Sequence, residues 1–207
     1  MSKIKYKLYI NDIPDNLEFK DSIAIDSETL GLKPHRDRLC VVQLSSGDGV
    51  AHLVQFNNEL NYSAPNLKKL LSDDSLEKIF HFARFDIAVI NHYLDLNIKN
   101  IFCTKVASRL TRTYTDYHGL KDICSEILGV SISKAKQCSN WANEDLSDAQ
   151  LSYAAQDVLY LHELRNHLND NLIKLNRDKY AKACFEFLTT RADLDLLGFE
   201  HLDIFAH

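Results

Sequence analysis

The sequence of 207 residues has a formal net charge of -5 and 45% hydrophobic residues. This apolar content is sufficient for the core of one globular domain, so we expect residues 1–207 to form a single domain. The acidic balance argues against a protein that holds long duplexes through a Lys/Arg-rich surface. It is compatible with an enzyme that binds a short stretch of nucleic acid through divalent cations.

The 5 cysteines do not form a C-x-x-C pair, and a chain of this length does not need disulfide bonds to fold. The first seven residues run directly into polar sequence, without the apolar core of a signal peptide. No apolar run approaches the roughly 20 residues of a membrane span. We therefore expect a cytoplasmic protein with reduced thiols that is not bound to a membrane.

The predicted elements are strands followed mainly by helices. Apolar runs predict strands over Ser22–Asp26, Leu39–Ser45, Val50–Phe56 and Leu76–Phe82. The turn residues at 46–49 join the second and third strands in a hairpin. Helices are predicted over Ala64–Leu71, Ala83–Leu94, Thr104–Leu110, Leu120–Leu128, Asp148–Asn169 and Lys179–Thr190. This order is typical of an α/β domain in which a mixed sheet is flanked by helices.

The C-terminal segment, residues 190–207, alternates acidic and apolar residues without a clear period. Its apolar members are too numerous to remain solvated, so we expect the segment to pack on this subunit or on another, and we predict a subunit contact in a homo-oligomer. They are Leu194, Leu196, Leu197, Phe199, Leu202, Ile204 and Phe205.

Three short motifs carry the candidate chemistry. Asp26 and Glu28 stand two residues apart at the end of an apolar strand, so both carboxylates leave the same face. Such a pair is unfavourable without a cation and suits Mg²⁺ or Mn²⁺, although a solvated strand end is the alternative interpretation. Asp86 lies in the first turn of the helix that follows the fourth predicted strand, where interaction with the helix dipole is the alternative role.

The third motif is Tyr153-Ala154-Ala155-Gln156-Asp157, in a strongly helical stretch. Residues four apart lie on one helix face, so the phenol and the carboxylate project together. The alternative is that Tyr153 belongs to the core and Asp157 to the surface.

Together, D-x-E on a strand, an Asp that opens a later helix and Y-x-x-x-D on a C-terminal helix resemble the DEDD 3′-5′ exonuclease superfamily. The tyrosine four residues before the last Asp implies the Tyr subclass; the His subclass has histidine where this chain has Ser152. Segments 103–110 and 137–141 are similar to those of ribonuclease D. The resemblance implies a ribonuclease-H-like fold and hydrolysis of nucleic acids from the 3′ end.

A closer resemblance is to the nanoRNase C family, carried by residues 25–44 and by the ending at 194–207. It implies a cytoplasmic homo-octamer that degrades RNA dinucleotides. It also implies two divalent ions, Mg²⁺ or Mn²⁺, with Asp26 shared between them. Glu28 and Asp157 would complete the first site, Asp86 would serve the second directly or through water, and Tyr153 would orient the attacking water.

Each group of candidate substrate-binding residues has an alternative interpretation, because charged helix faces and loop anchors show the same patterns. Leu32 occupies the place of a leucine that separates terminal bases in related nucleases; the alternative is a loop anchor in the core. Basic residues follow it directly at positions 33, 35, 36 and 38, with a solvated loop as their alternative. Further candidates are His81, Arg84, Arg109, Lys136 and Gln137.

Two alternative functions share these motifs. One is a ribonuclease D-like exonuclease that acts on longer RNA or DNA. The other is a catalytically inactive exonuclease fold that only binds nucleic acid. The presence of all four acids and the tyrosine favours an enzyme.

Overall fold

The computed structural model describes residues 4–57, 61–132 and 139–207. Six strands form one sheet: β1 (Lys5–Ile10), β2 (Ser22–Thr29), β3 (Leu39–Ser45), β4 (Val50–Gln55), β5 (Glu77–Phe80) and β6 (Ile101–Cys103). The helices are α1 (Pro65–Leu71), α2 (Ala83–Leu94), α3 (Thr104–Thr111), α4 (Leu120–Ile123), α5 (Asp148–Leu159), α6 (Leu161–Lys174) and α7 (Asp178–Leu194). Single π-helical turns follow α4, over Cys124–Leu128, and α7, over Asp195–Phe199.

The sheet is mixed, in the order β1-β4-β3-β2-β5-β6. Strands β2, β3 and β4 are antiparallel neighbours, whereas β1 pairs with β4, β5 with β2 and β6 with β5 in parallel. The predicted β3–β4 hairpin is confirmed. Gly47 and Gly49 adopt φ values of 81° and 82° in its turn, a conformation open to glycine at little cost.

Helices cover the sheet and close its core. Helix α5 packs across β1 to β4, whereas α2 packs on β2, β3, β5 and β6. Strand β3 is buried along its whole length, since its neighbours β2 and β4 flank it and helices lie over it. The expected α/β fold with a mixed sheet and flanking helices is confirmed.

Several element boundaries differ from the predicted ones. Strands β1 and β6 were not predicted, because β1 is mostly exposed and includes Lys5 and Lys7, and β6 has only 3 residues. The predicted helix Asp148–Asn169 is two helices that meet at Tyr160, whose ψ of -3° interrupts the regular helix. Helix α7 runs to Leu194, four residues beyond its predicted end. Strand β2 continues to Thr29, so Asp26 and Glu28 lie within it.

The cysteines in the described part of the chain are all free thiols: Cys40, Cys103 and Cys124 are buried, and Cys184 is exposed. Within the described residues, no helix combines the length and the apolarity needed to cross a membrane.

Candidate active site

The centre of the site lies on β2, where successive side chains alternate between the two faces of the sheet. Asp26 and Glu28 project on the side of α5, and there they meet Asp157. One carboxylate oxygen from each of the three residues lies within 4.8 Å of the other two. This arrangement confirms that the D-x-E spacing places both acids on one face.

Helix α5 brings Tyr153 and Asp157 to the same place. Its start is fixed by a capping box, in which the Ser147 hydroxyl accepts from the Gln150 backbone and the Gln150 side chain accepts from the Ser147 backbone. Tyr153 is buried against Trp141, with ring centroids 6.1 Å apart. The phenol also interacts with the Asp157 carboxylate. Packing against Trp141 therefore positions Tyr153, and the pitch of α5 places Asp157 on the same face of the helix.

The fourth acid reaches the site from the other face of the sheet. Ser27 points away from Asp26 and Glu28, and its hydroxyl donates a 2.6 Å hydrogen bond to Oδ1 of Asp86. Asp86 is 3% exposed in the first turn of α2, so this bond holds a buried carboxylate. Sequence reasoning missed Ser27. The available signal was its place between the two acids of D-x-E, which assigns it to the opposite face.

Helix α2 begins from an unusual backbone conformation. Phe82, its N-cap residue, has φ 69° and ψ 41°, in the left-handed region that bulky side chains rarely occupy. Its ring is 44% exposed and carries the Lys105 ammonium group 4.1 Å from the centroid. Such strained residues concentrate at functional sites, and this one directly precedes the helix turn that holds Asp86.

Burial shifts the protonation of all four acids, and repulsion between them adds to the shift in three. Burial raises the pKa of Asp26 to about 7. Burial, followed by repulsion from Asp26 and other acids of the cluster, raises the pKa of Glu28 well above its ordinary value. The pKa values of Asp86 and Asp157 are raised by burial and then by repulsion from Asp26, against the opposing hydrogen bonds from Ser27 and Tyr153. The cluster therefore favours either protons or a cation.

The environment of Tyr153 favours the protonated phenol, which cannot act as a base. Burial, and after it the neighbouring carboxylates Asp157, Glu28 and Asp26, raise the pKa of its phenol above the ordinary value of 10.0. The phenol is therefore protonated at neutral pH and available as a hydrogen-bond donor.

A braced loop follows β2 and presents Leu32 to solvent. Leu32 is 86% exposed, which excludes the alternative that it anchors the loop in the core. The loop is held by Asp37, whose carboxylate accepts from the Lys33 backbone at 2.9 Å, and by a 3.1 Å bond from Leu30 N to Arg38 O. A Cβ on Gly31 would lie 2.3 Å from Asp37 Oδ2, so a larger residue at this position would displace the Asp37 carboxylate.

Three basic side chains of this loop, those of Lys33, Arg36 and Arg38, already have partners within the chain. Lys33 Nζ lies 2.9 Å from Glu200, and Arg36 Nε lies 2.7 Å from Asp37. Arg38 donates to the carbonyl oxygens of Phe56 and Asn57. Phosphate binding by these cations would therefore require competition with existing contacts.

The other predicted substrate-binding residues differ in location and in exposure to solvent. His81 is half-buried at the end of β5, with Nδ1 2.9 Å from the Thr104 hydroxyl. Arg109 is exposed on α3. Lys136 and Gln137 lie outside the described residues, so their predicted roles stay predictions.

Arg84 is held by the C-terminal segment. Its Nε and Nη2 lie 2.5 and 2.7 Å from the Asp195 carboxylate, and Nη2 also donates to the Glu200 backbone. Arg191 binds the same carboxylate at 2.7 Å. Since Glu200 also pairs with Lys33, the segment after α7 braces both the Leu32 loop and the start of α2.

A separate cavity of about 890 Å³ lies between β6, α6 and α7. Its lining includes Arg165, Leu172 and Phe185, and contains none of the predicted site residues. The carboxylate cluster, rather than this cavity, therefore holds the candidate chemistry.

Comparison with known proteins agrees with this geometry. A family model described as 3′-5′ exonuclease matches residues 4–173. Ribonuclease D of Granulibacter bethesdensis is 34% identical over 155 residues, which cover 75% of this chain and 38% of that protein. DNA polymerase I of Aquifex aeolicus is 34% identical over 163 residues, covering 79% of this chain and 26% of that protein. The chain thus spans about two-fifths or less of the length of these curated relatives.

Among solved structures, Brucella melitensis NrnC bound to pGG is 56% identical, covers 99% of this chain and 100% of that chain, and has a TM-score of 0.95. The same protein with bound Mg²⁺ is 56% identical over 98% of this chain and 99% of that chain, with a TM-score of 0.93. Escherichia coli RNase D, at 21% identity and a TM-score of 0.72 over 83% of this chain and 45% of that chain, shares the fold.

The mixed sheet and its cluster of acids define the class as a ribonuclease-H-like exonuclease domain. The chain belongs to the 3′-5′ exonuclease family and, within it, to the nanoRNase C (NrnC) family. The predicted family is therefore confirmed.

Proposed function

We propose that this protein is a metal-dependent 3′-5′ exoribonuclease that hydrolyses short RNA, above all 5′-phosphorylated dinucleotides, to mononucleotides. The observation that carries the proposal is the half-buried group of Asp26, Glu28 and Asp157, with carboxylate oxygens within 4.8 Å of one another. Family membership and the 56% identity to a protein solved with pGG and with Mg²⁺ support it.

The acids fit a hard divalent cation such as Mg²⁺ or Mn²⁺, because their donor atoms are all carboxylate oxygens. Their raised pKa values show how unfavourable the ionised cluster is without a positive charge. Asp26 would be shared by two ions, Glu28 and Asp157 would complete the first site, and Asp86 would serve the second. When bound, the ions would lower the pKa of the attacking water and neutralise charge on the phosphate.

The residues of the chain would position the reactants. A water oxygen forms a bond to the scissile phosphorus and gives up a proton to solvent. The bond from phosphorus to the 3′-oxygen breaks, and that oxygen leaves with the electron pair and takes up a proton from solvent. The products are a 5′-mononucleotide and a shortened RNA or a second nucleotide. Tyr153, protonated at neutral pH, would orient the attacking water by a hydrogen bond instead of removing its proton.

Three observations support a short substrate. Leu32 is 86% exposed on the braced loop that follows β2, where it suits insertion between two bases. The net charge of -5 makes counterion release on a long polymer a weak driving force. The NrnC structure at 56% identity contains pGG.

The test compares initial rates and affinities on 5′-labelled pGpG, the matching trimer and heptamer, and unphosphorylated GpG. We expect pGpG to exceed each of the others by about ten- to a hundredfold, the loss that corresponds to one charge-assisted phosphate contact. Equal rates on all lengths would favour the ribonuclease D-like alternative. Binding without any cleavage in Mg²⁺ or Mn²⁺ would favour the inactive module.

Two substitutions in one loop test the role of Leu32. Leu32→Ala should raise KM for pGpG by about ten- to a hundredfold, because about 1.5–3 kcal/mol accompanies burial of a leucine side chain. Leu30→Ala is the matched control, since Leu30 is 50% exposed in the same loop. Equal effects of the two substitutions would contradict a specific contact by Leu32.

We further propose a cytoplasmic homo-oligomer, an octamer by resemblance, with the C-terminal segment at a subunit contact. Several of its apolar side chains are exposed, among them Leu197 at 73% and Phe205 at 78%. The double substitution Leu197→Lys and Phe205→Lys should yield a smaller species in light scattering. Asp203→Lys, at an exposed polar position of the same segment, is the control and should leave the mass unchanged.

A further inference from the structure

A buried glutamine lies directly beside the acid at the centre of the site. Gln43 pairs with Asp26 across the antiparallel β2–β3 ladder. Directly opposed residues in such a ladder project on the same face, with Cβ atoms about 4.5–5.5 Å apart. The Gln43 carboxamide therefore lies on the side of α5, as the Asp26 carboxylate does.

The polar atoms of this buried carboxamide differ in their hydrogen bonding from those of other buried side chains in the sheet. Gln43 is 0% exposed, and within the described chain neither its Nε2 nor its Oε1 has a hydrogen-bond partner. Two other buried polar side chains of the same sheet are satisfied. Gln55 Nε2 donates to the Asn143 and Glu144 carbonyls at 2.9 Å, and the Ser45 hydroxyl donates to Val50 O at 2.9 Å.

An unpaired buried amide is costly, so its presence calls for a partner that another state of the molecule supplies. The Asp26 carboxylate can accept a further hydrogen bond. Among the described residues, the Ser27 backbone donates to it. An ionised carboxylate only accepts hydrogen bonds, and a carboxylate that binds a metal is held in orientation by donors around it.

We propose that Gln43 is a positioning residue of the metal site. In the metal-loaded protein, its Nε2 donates to the ionised Asp26 carboxylate and its Oε1 accepts from a water of the site. Gln43 then orients Asp26 without touching the substrate. This inference rests on the proposed metal site.

The decisive variant is Gln43→Met, which keeps the length of the side chain and removes both polar atoms. Metal affinity is measured by calorimetric titration with Mn²⁺ alone, and stability by thermal unfolding in EDTA. We expect Mn²⁺ affinity to fall by about ten- to a hundredfold, the usual effect of losing a group that orients a metal ligand. The metal-free Tm should stay level or rise, because an unpaired buried amide has been removed. Turnover of pGpG should fall while KM is unchanged.

Gln55→Met is the matched control, because it removes a buried glutamine of the same sheet whose amide is satisfied. It should lower the metal-free Tm and leave Mn²⁺ affinity within about twofold of the wild type, since Gln55 has no such relation to an acid of the site. Gln43→Leu replaces Gln43→Met if the latter does not fold.

The outcomes separate the two proposals. Wild-type Mn²⁺ affinity in the Gln43 variant, or a fall in metal-free Tm without a change in Mn²⁺ affinity, would make Gln43 a purely structural residue and overturn this inference. If the wild-type protein itself bound no Mn²⁺, the proposed metal site would fail first.

Discussion

Metal removal should make the stability of this protein fall as pH rises. In the metal-free cluster, burial raises the pKa of Asp26 from 3.8 to about 7, and the pKa values of Glu28, Asp86 and Asp157 are raised as well. Between pH 4 and 7 the folded protein therefore holds more protons than the unfolded chain does. Stability depends on this difference in bound protons, so the free energy of unfolding decreases with pH across the window.

The magnitude follows from Asp26 alone. Its pKa rises by about three units, and each unit corresponds to about 1.4 kcal/mol, so deprotonation costs the folded state about 4 kcal/mol by pH 7.5. For a chain of this size 1 kcal/mol shifts Tm by about 2–4 °C, which gives a fall of about 8–16 °C. The other three acids act in the same direction.

The assay is calorimetric unfolding between pH 4.5 and 7.5, in EDTA and in excess Mn²⁺. Mn²⁺ should restore most of the loss at pH 7.5, because the ionised cluster binds the cation and the unfolded chain does not. Asp26→Asn should reduce the pH dependence in EDTA without abolishing it, because burial still raises the pKa values of Glu28, Asp86 and Asp157. Asp145→Asn, which removes one exposed charge elsewhere, should follow the wild type. A Tm in EDTA that stays level or rises from pH 5 to 7.5 would refute the reasoning.

Three further predictions concern single side chains. Ser27→Ala removes the 2.6 Å hydrogen bond to Asp86, which is worth about 1.5–3 kcal/mol. Activity should fall about ten- to a hundredfold with an unchanged circular dichroism spectrum. Full activity would show that Asp86 does not need this hydrogen bond. Tyr153→Phe should reduce turnover by about 10²–10⁴ at unchanged Mn²⁺ affinity, whereas a wild-type rate would assign Tyr153 to packing alone. Asp195→Asn should lower Tm by about 3–12 °C by weakening charge-assisted bonds from Arg84 and Arg191. Asp193→Asn, at an exposed position of α7, is its control and should change Tm little.

The sequence by itself determined the relations that depend on local periodicity. The two-residue repeat of a strand places Asp26 and Glu28 on one face, and the pitch of a helix stacks Tyr153 on Asp157. The turn at 46–49 predicted the β3–β4 hairpin because glycine readily adopts the positive φ found there. The order of the three motifs also resembles the DEDD superfamily, and the longer resemblance over residues 25–44 and 194–207 predicted the family.

The tertiary structure decided which distant groups meet. Ser27 anchors Asp86 from 59 positions away, and Arg84 binds Asp195 across 111 positions, so neither contact has a local signal. From the sequence, Leu32 could either anchor its loop in the core or contact substrate bases. In the structure, Asp37 braces the loop and Leu32 is exposed. The burial of Gln43 beside Asp26 depends on the register of β2 and β3. Periodicity assigns a side chain to a face, but only the packing of that face determines its partner and its exposure to water.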